Sequence, residues 1–444
     1  MPESAPQLWE PQPAAAGWIN TQIERFRSAN PAVAEIEQLL RDQTGSRLSD
    51  WIDHICITDD SELAGLGFVQ TADGWFEHPG ALLPAVHVAS FERMLLRVDS
   101  VNDFAIANRH RFKIIVEGEP LDLRRIAVID NSVRKRVGVI ERHGCKASCP
   151  PVDLSDQQRV QQLATAEHLL HRSRKFGTDA DAFSYTQHLL SVAIEDIGRD
   201  VACDLFFQGE RAYWVSRNSA AQIQLMRQNS LGLGWGNHDH HTYRSSRSCF
   251  SRLIKTLEML GFECRERFYA GQEAGWGAQV LEHERCGIVI FADVDLSPDE
   301  VEGDFAHEAL PERDTLGTIG LWCALHGEAL FEAGMHHLEC QFDFDVCNSQ
   351  LAAHNIRCME PFTDFPHLRQ CFTEGESWRV APGRIRTAEQ NGWISAEQAT
   401  QFLEHGVIGS HLEILERNDG YRGFNQSGIN SIIRKTDPRA QHSS

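Results

Sequence analysis

Runs of apolar residues with the two-residue alternation of β-strands occur in two separate parts of the chain. The first part has them at residues 51–57, 94–98, 112–116 and 136–142. The second part has them at residues 238–245, 279–282, 287–294, 336–344 and 407–417. Because a long segment of different character separates these parts, we expect two β-rich halves.

Helical periodicity is strongest between the two parts and just after the second one begins. Residues 157–174 and 183–197 repeat apolar side chains every three or four positions, as a helix does, whereas 201–207 and 211–215 have strand character. Residues 249–260 place their apolar side chains on one face, which predicts an amphipathic helix ended by a glycine. The middle of the chain is therefore predicted to be a mainly helical insertion.

Short stretches of the first part recur in the same order in the second. Asp-His-Ile-Cys-Ile at 53–57 matches Asp-His-His-Thr-Tyr at 239–243, and Val-Ile-Glu-Arg at 139–142 matches Ile-Leu-Glu-Arg at 414–417. This repeat predicts two copies of a larger unit, each containing two β-rich modules. Chance similarity between strand–helix–strand segments is the alternative, since each matched stretch is short.

Composition and charge restrict the classes of partner. The 444 residues carry a formal net charge of −21, which argues against nucleic acid and anionic membranes because both favour a basic face. No run approaches the roughly 20 apolar residues of a membrane helix, and the first residues lack a secretion signal. The twelve cysteines include no Cys-x-x-Cys pair, so a structural zinc site is not expected. The cysteines are therefore expected to be free thiols in a reducing compartment, and we predict a cytoplasmic protein.

Histidine is concentrated at the start of two predicted strands, at residues 238–241 and 336–337. Side chains alternate across a strand, so each strand can present one histidine of its cluster to a common face. His240 and His337, with Glu413 from the last strand, would then supply two imidazoles and one carboxylate. That set forms the facial triad of non-haem Fe(II) sites, with positions left open for substrate and O₂. Structural histidines are the alternative interpretation.

Three stretches around these residues resemble the vicinal-oxygen-chelate superfamily and, within it, the 2-oxoadipate dioxygenase/decarboxylase (2-hydroxyglutarate synthase) family. They are His-His-Thr-Tyr-Arg at 240–244, Met-His-His-Leu at 335–338 with Leu-Arg-Gln at 368–370, and Leu-Glu-Ile-Leu-Glu-Arg at 412–417 with the turn at 423–428. The resemblance covers residues 237–435. It implies that His240, His337 and Glu413 bind Fe(2+), and that Arg244 is the catalytic residue that binds the substrate carboxylate.

The resemblance also implies a fold and a reaction. The expected fold is α+β, with tandem βαβββ modules of the vicinal-oxygen-chelate type in two halves and a helical insertion. The expected activity is an Fe(II)-dependent dioxygenase that decarboxylates a 2-oxo acid with O₂, giving a hydroxylated acid and CO₂. The alternatives are a ring-cleaving dioxygenase, a redox-neutral lyase or isomerase on the same metal site, and a non-catalytic small-molecule-binding protein. Modules of this kind often pair, so a homodimer is one option.

The first half is expected to lack the metal. His54 aligns with His240, but Arg93 and Gly138 stand at the positions of His337 and Glu413. This resembles 4-hydroxyphenylpyruvate dioxygenase, in which only the C-terminal half binds iron. The expected divisions are a poorly ordered N-terminus (1–30), a metal-free half (31–150), the helical insertion (151–232) and a metal-binding half (233–440).

Several neighbouring positions stay open. Glu416, His241 and His336 are rivals of the three named ligands, because each lies close to one of them in the sequence. Trp276, in a glycine-rich segment, is a candidate for the pocket wall. The remaining candidates for contacts with substrate are Ser246, Gln279, Arg369 and Gln370.

Overall fold

Two mixed β-sheets organise the chain in a computed structural model, which describes residues 9–129, 134–150, 152–425 and 436–440. The first sheet has eight strands and the second has nine. Within the described ranges the chain also forms twelve α-helices.

The first sheet belongs to the N-terminal half. Its strands are β1 (Ile52–Ile57), β2 (Val69–Ala72), β3 (Trp75–Glu77), β4 (Ala85–Val88), β5 (Glu92–Arg97), β6 (Ile114–Glu117), β7 (Arg124–Ile129) and β8 (Lys135–Arg142). Their order in space is β2-β3-β4-β1-β5-β8-β7-β6. The two central strands, β1 and β5, run antiparallel, and β4 and β8 lie parallel to them on the outside.

The second sheet repeats this plan. Its strands are β9 (His238–Arg244), β10 (Glu263–Tyr269), β11 (Trp276–His283), β12 (Ile288–Asp295), β13 (His337–Gln341), β14 (Thr363–Phe365), β15 (Leu368–Phe372), β16 (Glu376–Trp378) and β17 (Val407–Arg417). The order is β10-β11-β12-β9-β13-β17-β15-β14, and β16 pairs with β17 as an addition. β9 and β13 are the antiparallel central pair, flanked by the parallel strands β12 and β17.

The helices lie before, between and within the strand modules. They are α1 (Pro13–Ala29), α2 (Pro31–Thr44), α3 (Val101–Asn108), α4 (Asp156–Leu170), α5 (Asp179–Ile197), α6 (Arg199–Val215), α7 (Ser219–Asn229), α8 (Phe250–Met259), α9 (Thr318–His326), α10 (Phe344–Ala353), α11 (Pro382–Gln390) and α12 (Ala396–His405). Among the described residues, none of these helices has both the length and the apolar character that crossing a bilayer requires.

The identical strand order of the two sheets confirms the predicted fold class. In each module the last strand returns to lie parallel to the first, and a helix or short turn follows the first strand. Two such βαβββ modules form each sheet. The helix after β1 is reduced to a single 3₁₀ turn, Ala64–Leu66, whereas its counterpart after β9 is the full helix α8.

Two local expectations differ from the structure. Much of the N-terminal segment expected to be poorly ordered is the helix α1, which buries Ile19, Ile23 and Phe26 against the first sheet's core. The strand-like residues 201–207 and 211–215 belong to the helix α6. Their aromatic and β-branched content favours strands, but packing between α4, α5 and the second sheet determines the helix, as tertiary contacts often override propensity.

The helical insertion shares one core with the second sheet. Phe206 and Phe207 of α6 lie in the same buried cluster as Tyr243 of β9 and Phe250 of α8. The first sheet has a separate core, which α1 and α2 complete. The second sheet is therefore covered by helices that the first sheet lacks, and its central strands are more completely enclosed.

The strand registers define which residues of the two sheets are equivalent. His54 lies opposite Leu95 and Cys56 lies opposite Arg93 in the β1–β5 pair. In the β9–β13 pair, His240 lies opposite Glu339 and Thr242 lies opposite His337. Arg93 therefore occupies the position of His337, as the sequence alignment predicts.

Gly138 occupies the position of Glu413 in the same way. Gly138 pairs with Leu95, just as Glu413 pairs with Glu339. A Cβ atom at Gly138 would lie 2.2 Å from the Ala127 carbonyl oxygen. The first sheet consequently has no room for any side chain at this position without a shift of β7.

We predict that Gly138→Ala destabilises the protein by about 1–3 kcal/mol, because the new methyl group would meet backbone rather than a flexible side chain. The matched control is Gly17→Ala in α1, where a Cβ meets no atom within 4 Å. It should be neutral or stabilising by up to about 1 kcal/mol, as expected for alanine in a helix. Urea denaturation midpoints measure both. Equal midpoints for the two variants would contradict the assigned register.

Candidate metal centre

Three adjacent strands at the centre of the second sheet bring the predicted ligands together. β13 pairs with β9 on one side and β17 on the other, so that Glu339 lies between His240 and Glu413. Nitrogen or oxygen atoms of His240, His337 and Glu413 all lie within 4.8 Å of one another. All three side chains are buried. The fold thus supplies two imidazoles and a carboxylate on one face of the sheet, as strand alternation predicts.

The closest contacts within this cluster are between imidazoles and carboxylates. His337 Nε2 lies 3.0 Å from Glu413 Oε2, and His240 Nε2 lies 3.2 Å from Glu339 Oε2. Glu339 is fully buried and stands beside both predicted ligands, although the sequence analysis did not include it in the site. Its position on the same strand face as His337, two residues away, is the signal that could have identified it.

His240 is held by a chain of charged groups behind it. Its Nδ1 lies 3.3 Å from Asp239 Oδ1, and Asp239 receives two hydrogen bonds from the Arg417 guanidinium, at 2.9 and 3.0 Å. The Gln341 amide donates a third to Asp239. With Nδ1 donating to Asp239, the lone pair of His240 is on Nε2, directed into the cluster. Histidine ligands of metals are commonly oriented in this way.

The other two side chains are also fixed from outside. His337 Nδ1 lies 2.8 Å from His336 Nδ1, so one ring donates to the other, and donation by His337 leaves its Nε2 free. The Gln370 amide nitrogen donates to Glu413 Oε1 and to Glu339 Oε2, each at 3.2 Å. This leaves Glu413 Oε2 facing His337. Gln370, predicted as a substrate contact, thus positions the carboxylates.

Burial sets the protonation of the cluster in the absence of a cation. Burial raises the pKa of Glu413 to about 7, above the ordinary value of 4.5. Burial and the nearby Glu413 carboxylate raise the pKa of Glu339 well above its usual range. Burial also lowers the pKa of His337 well below its ordinary value. Two imidazoles and buried carboxylates are a donor set that a divalent cation stabilises, so the residues fit a metal.

A small cavity of about 90 Å³ opens beside the cluster. Its wall is mainly aromatic, and Trp276 contributes to it as predicted. The other rings are those of Phe268, Phe291, Phe362, Phe372 and Phe424. An apolar wall of this kind excludes water from the open side of the metal position.

Arg244 and Asp293 are two further ionisable groups in this cavity. Arg244 is buried, and its Nε and Nη1 have no hydrogen-bond partner among the residues that the structure describes. Asp293 lies opposite Arg244 in the β9–β12 pair, and burial raises its pKa to about 8. A buried guanidinium without partners costs free energy unless a ligand meets it. Arg244 is therefore suited to bind an anionic group.

The three rival ligands have other surroundings. His241 faces the opposite side of β9, where its ring contacts Phe207. Glu416 accepts a hydrogen bond from the Phe344 backbone at the start of α10. His336 lines the cavity, but it is not in the group of atoms that converge with His240. The geometry thus favours the three residues first proposed.

Three predicted substrate contacts lie outside the cavity. Ser246 donates its backbone N–H to Glu328 and lines a different pocket. Gln279 is buried and donates to the backbone carbonyls of Glu266 and Val280. Arg369 pairs with Asp345 and Asp364 on the surface. Strand alternation explains the last case, since Arg369 must face away from the side that Gln370 faces.

Comparisons with known proteins show a likeness of fold. No family model matches the chain, and a search of curated proteins finds no match. Among solved structures, a triple mutant of 4-hydroxymandelate synthase from Streptomyces coelicolor has 11% identity and a TM-score of 0.30, covering 88% of this chain and 98% of that one. Two further similar structures have lower TM-scores.

The first is a Shigella flexneri protein that includes domain DUF1338, with 12% identity and a TM-score of 0.25, covering 64% of this chain and 84% of that one. The second is methylmalonyl-CoA epimerase from Mycobacterium tuberculosis, with 14% identity and a TM-score of 0.23, covering 40% of this chain and 87% of that one. At these identities the likeness concerns the fold alone, and the site rests on the geometry of this chain.

We predict that, in the metal-free protein, the stability of the Glu413→Gln variant relative to wild type increases as the pH rises from about 5 to about 8. A raised pKa means that the contribution of Glu413 to stability is present below pH 4.5 and is lost as the pH rises through about 7. Glutamine does not ionise, so the variant avoids this loss, which is on the order of 3 kcal/mol.

Chelator-treated wild type and variant should be unfolded with urea at each pH, and the difference in unfolding free energy plotted. The matched control is Glu416→Gln, which removes a carboxylate from the same strand outside the cavity. A difference that stays constant across this pH range would contradict the buried, cation-free environment assigned to Glu413.

Proposed function

We propose that this protein is an Fe(II)-dependent dioxygenase that decarboxylates a 2-oxo acid. The observation that carries the proposal is the convergence of His240, His337 and Glu413 beside the buried Arg244, whose Nε and Nη1 have no hydrogen-bond partner among the described residues. The first three side chains can hold a redox-active metal, and Arg244 can hold the carboxylate of a substrate. Both line the same aromatic cavity.

The donor set favours Fe(2+) among common cations. Two imidazoles and one carboxylate leave coordination positions open, which suits iron enzymes that bind both substrate and O₂. Bound Fe(2+) would supply the redox chemistry that activation of O₂ requires. Asp239 and Gln370 keep the His240 and Glu413 donor atoms directed to one point, so the ligands need little rearrangement.

Arg244 would bind and orient the substrate. Guanidinium N–H groups donate charge-assisted hydrogen bonds to a carboxylate, and Arg244 Nε and Nη1, which have no partner among the described residues, are donors available here. The neighbouring Asp293 holds its proton near neutral pH, so it does not repel an anion. The rings of Phe291 and Phe424 close the cavity and exclude water from the reacting groups.

Glu339 favours a second candidate reaction. Its carboxylate lies 3.2 Å from His240 Nε2, where it can act as a proton acceptor next to a metal. A redox-neutral isomerase or lyase would use that proton transfer with the metal as a Lewis acid. Turnover of an oxo acid without O₂, in the presence of Mg(2+) or Zn(2+), would favour this candidate over the first.

Oxygen consumption tests the proposal directly. Protein loaded anaerobically with Fe(2+) should consume O₂ and release an equal amount of CO₂ when a 2-oxo acid is added, and should be silent without one. The panel should include aromatic, aliphatic and dicarboxylic 2-oxo acids. His337→Ala should abolish the reaction, since it removes one ligand. Silence of the iron-loaded wild type across the whole panel would overturn the proposal.

We predict that Arg244→Met raises KM for the active 2-oxo acid by about 10- to 100-fold, the loss expected for one charged hydrogen-bonding group. Arg244→Lys keeps the charge but not the planar set of guanidinium donors, so it should recover only part of the loss. The matched control is Arg369→Met, which removes a surface guanidinium. Steady-state kinetics measure all three. A normal KM in Arg244→Met would show that another group binds the carboxylate.

A further inference from the structure

A second group of potential metal ligands lies away from the cavity, between the helical insertion and the second sheet. Cys203 and Cys286 place their sulfur atoms within 4.8 Å of each other and of a ring nitrogen of His283. All three residues are buried, with exposures of 0%, 3% and 2%. None of them lines the aromatic cavity. The proposed dioxygenase activity therefore leaves this cluster unexplained.

The cluster is built from two pairs of residues with the same spacing. Cys203 and Asp200 lie three positions apart in the first turns of α6 and so share one face of that helix. His283 and Cys286 lie three positions apart in the turn that joins β11 to β12. The Cys286 thiol also reaches the Asp200 carbonyl oxygen at 3.3 Å. A helix turn and a hairpin turn thus bring Cys203, His283 and Cys286 to a common point, with Asp200 beside them.

The distances are close to those of a tetrahedral zinc site. His283 Nε2 lies 4.0 Å from Cys286 Sγ and 3.5 Å from Asp200 Oδ1. Ligands bonded to one tetrahedral zinc ion are about 3.3 to 3.6 Å apart for these atom types, given Zn–S of about 2.3 Å and Zn–N or Zn–O near 2.0 Å. Asp200 is not in the group of atoms that lie within 4.8 Å of one another, so its carboxylate would have to turn toward the other three ligands to complete the geometry.

The donor types select the metal. Thiolate sulfur with imidazole nitrogen favours Zn(2+) over Mg(2+) and Ca(2+), which take oxygen ligands. We propose that Cys203, His283, Cys286 and Asp200 form a structural zinc site that joins α6 to the β11–β12 turn. The site would be closed, with four protein ligands, as structural zinc sites are.

The surroundings can support the charge of such a site. Arg285 Nε donates to Asp200 Oδ2 at 2.7 Å, which leaves Oδ1 directed to the cluster and offsets the negative charge of two thiolates and one carboxylate.

Binding also requires one change at His283. In the metal-free arrangement its Nδ1 accepts the Cys286 backbone N–H at 3.2 Å, which places the ring proton on Nε2. Coordination through Nε2 moves that proton to Nδ1 and releases the Cys286 amide. Because the amide belongs to a turn, a small rotation of the turn is sufficient, and the same rotation can bring Cys286 Sγ closer to the metal.

The structural consequence is a link between two parts that are distant in the sequence. The four residues come from the helical insertion and from the second sheet, which also share a buried apolar core. Two of the ligands lie at the end of β11 and just beyond it, in the same sheet that holds the candidate iron ligands. The zinc site would thus fasten the helical layer to the sheet at the turn without entering the cavity.

Cobalt substitution distinguishes this site from the iron site, because only a site with cysteine ligands gives a thiolate-to-cobalt charge-transfer band. The test uses full-length His337→Ala, which lacks a ligand of the central cluster, after removal of metals by a chelator and under reducing conditions. In a titration, one equivalent of Co(2+) should bind and give rise to that band. Zn(2+) should displace the cobalt and so remove the band. Wild type should bind one further equivalent without additional thiolate absorption.

Adding Cys203→Ser or Cys286→Ser to His337→Ala should abolish the band, whereas Cys347→Ser, which alters another buried cysteine, should leave it intact. If a serine variant does not fold, the spectrum of cobalt-loaded wild type still tests the proposal. Absence of thiolate absorption in wild type at saturating Co(2+) would overturn the proposal. So would a disulfide between Cys203 and Cys286 in freshly purified protein, found by peptide mapping, because it would make the pair a redox couple.

Discussion

The structure depends on burying two imidazoles and two carboxylates together at the centre of one β-sheet. His240, His337, Glu339 and Glu413 are almost fully enclosed, and burial raises the pKa of both glutamates and lowers that of His337. Such groups are costly in an apolar interior unless a charge compensates them. A divalent cation supplies that compensation at a single point. The hydrogen bonds that Gln370 donates to the carboxylates and that Asp239 accepts from His240 direct the donor atoms to that point. The aromatic side chains of the cavity wall keep it dry.

The two sheets share one strand order but differ in the residues at the three ligand positions. Their strands have the same order and equivalent registers, so the three ligand positions exist twice. In the first sheet they hold His54, Arg93 and Gly138. The close approach of Ala127 to Gly138 leaves no space for a glutamate there. The first sheet therefore cannot hold the same three ligands, while the second sheet provides the cavity.

Much of the fold and of the candidate site follows from the sequence, for identifiable reasons. Period-two alternation located nine of the seventeen strands that the structure describes, including Val407–Arg417 to the residue, and placed the proposed ligands on one face. It missed the strands β2, β3, β4, β7, β10, β14, β15 and β16. Alternation also implies that Arg369 faces away from Gln370, although both were proposed as substrate contacts. The helix α6 could not be predicted, because its aromatic residues favour strands and only tertiary packing makes the segment a helix. The cluster of Cys203, His283, Cys286 and Asp200 could not be predicted either, since its halves lie about eighty residues apart and only the fold brings them together.

The central claim is that one cation is bound by three side chains from adjacent strands. Crystals of the protein grown anaerobically with Fe(2+) should be measured on both sides of the iron absorption edge. The account predicts an anomalous peak about 2.0–2.2 Å from His240 Nε2, His337 Nε2 and a Glu413 carboxylate oxygen. Iron bound elsewhere, or an ordered cluster that remains without metal at saturating Fe(2+), would contradict it.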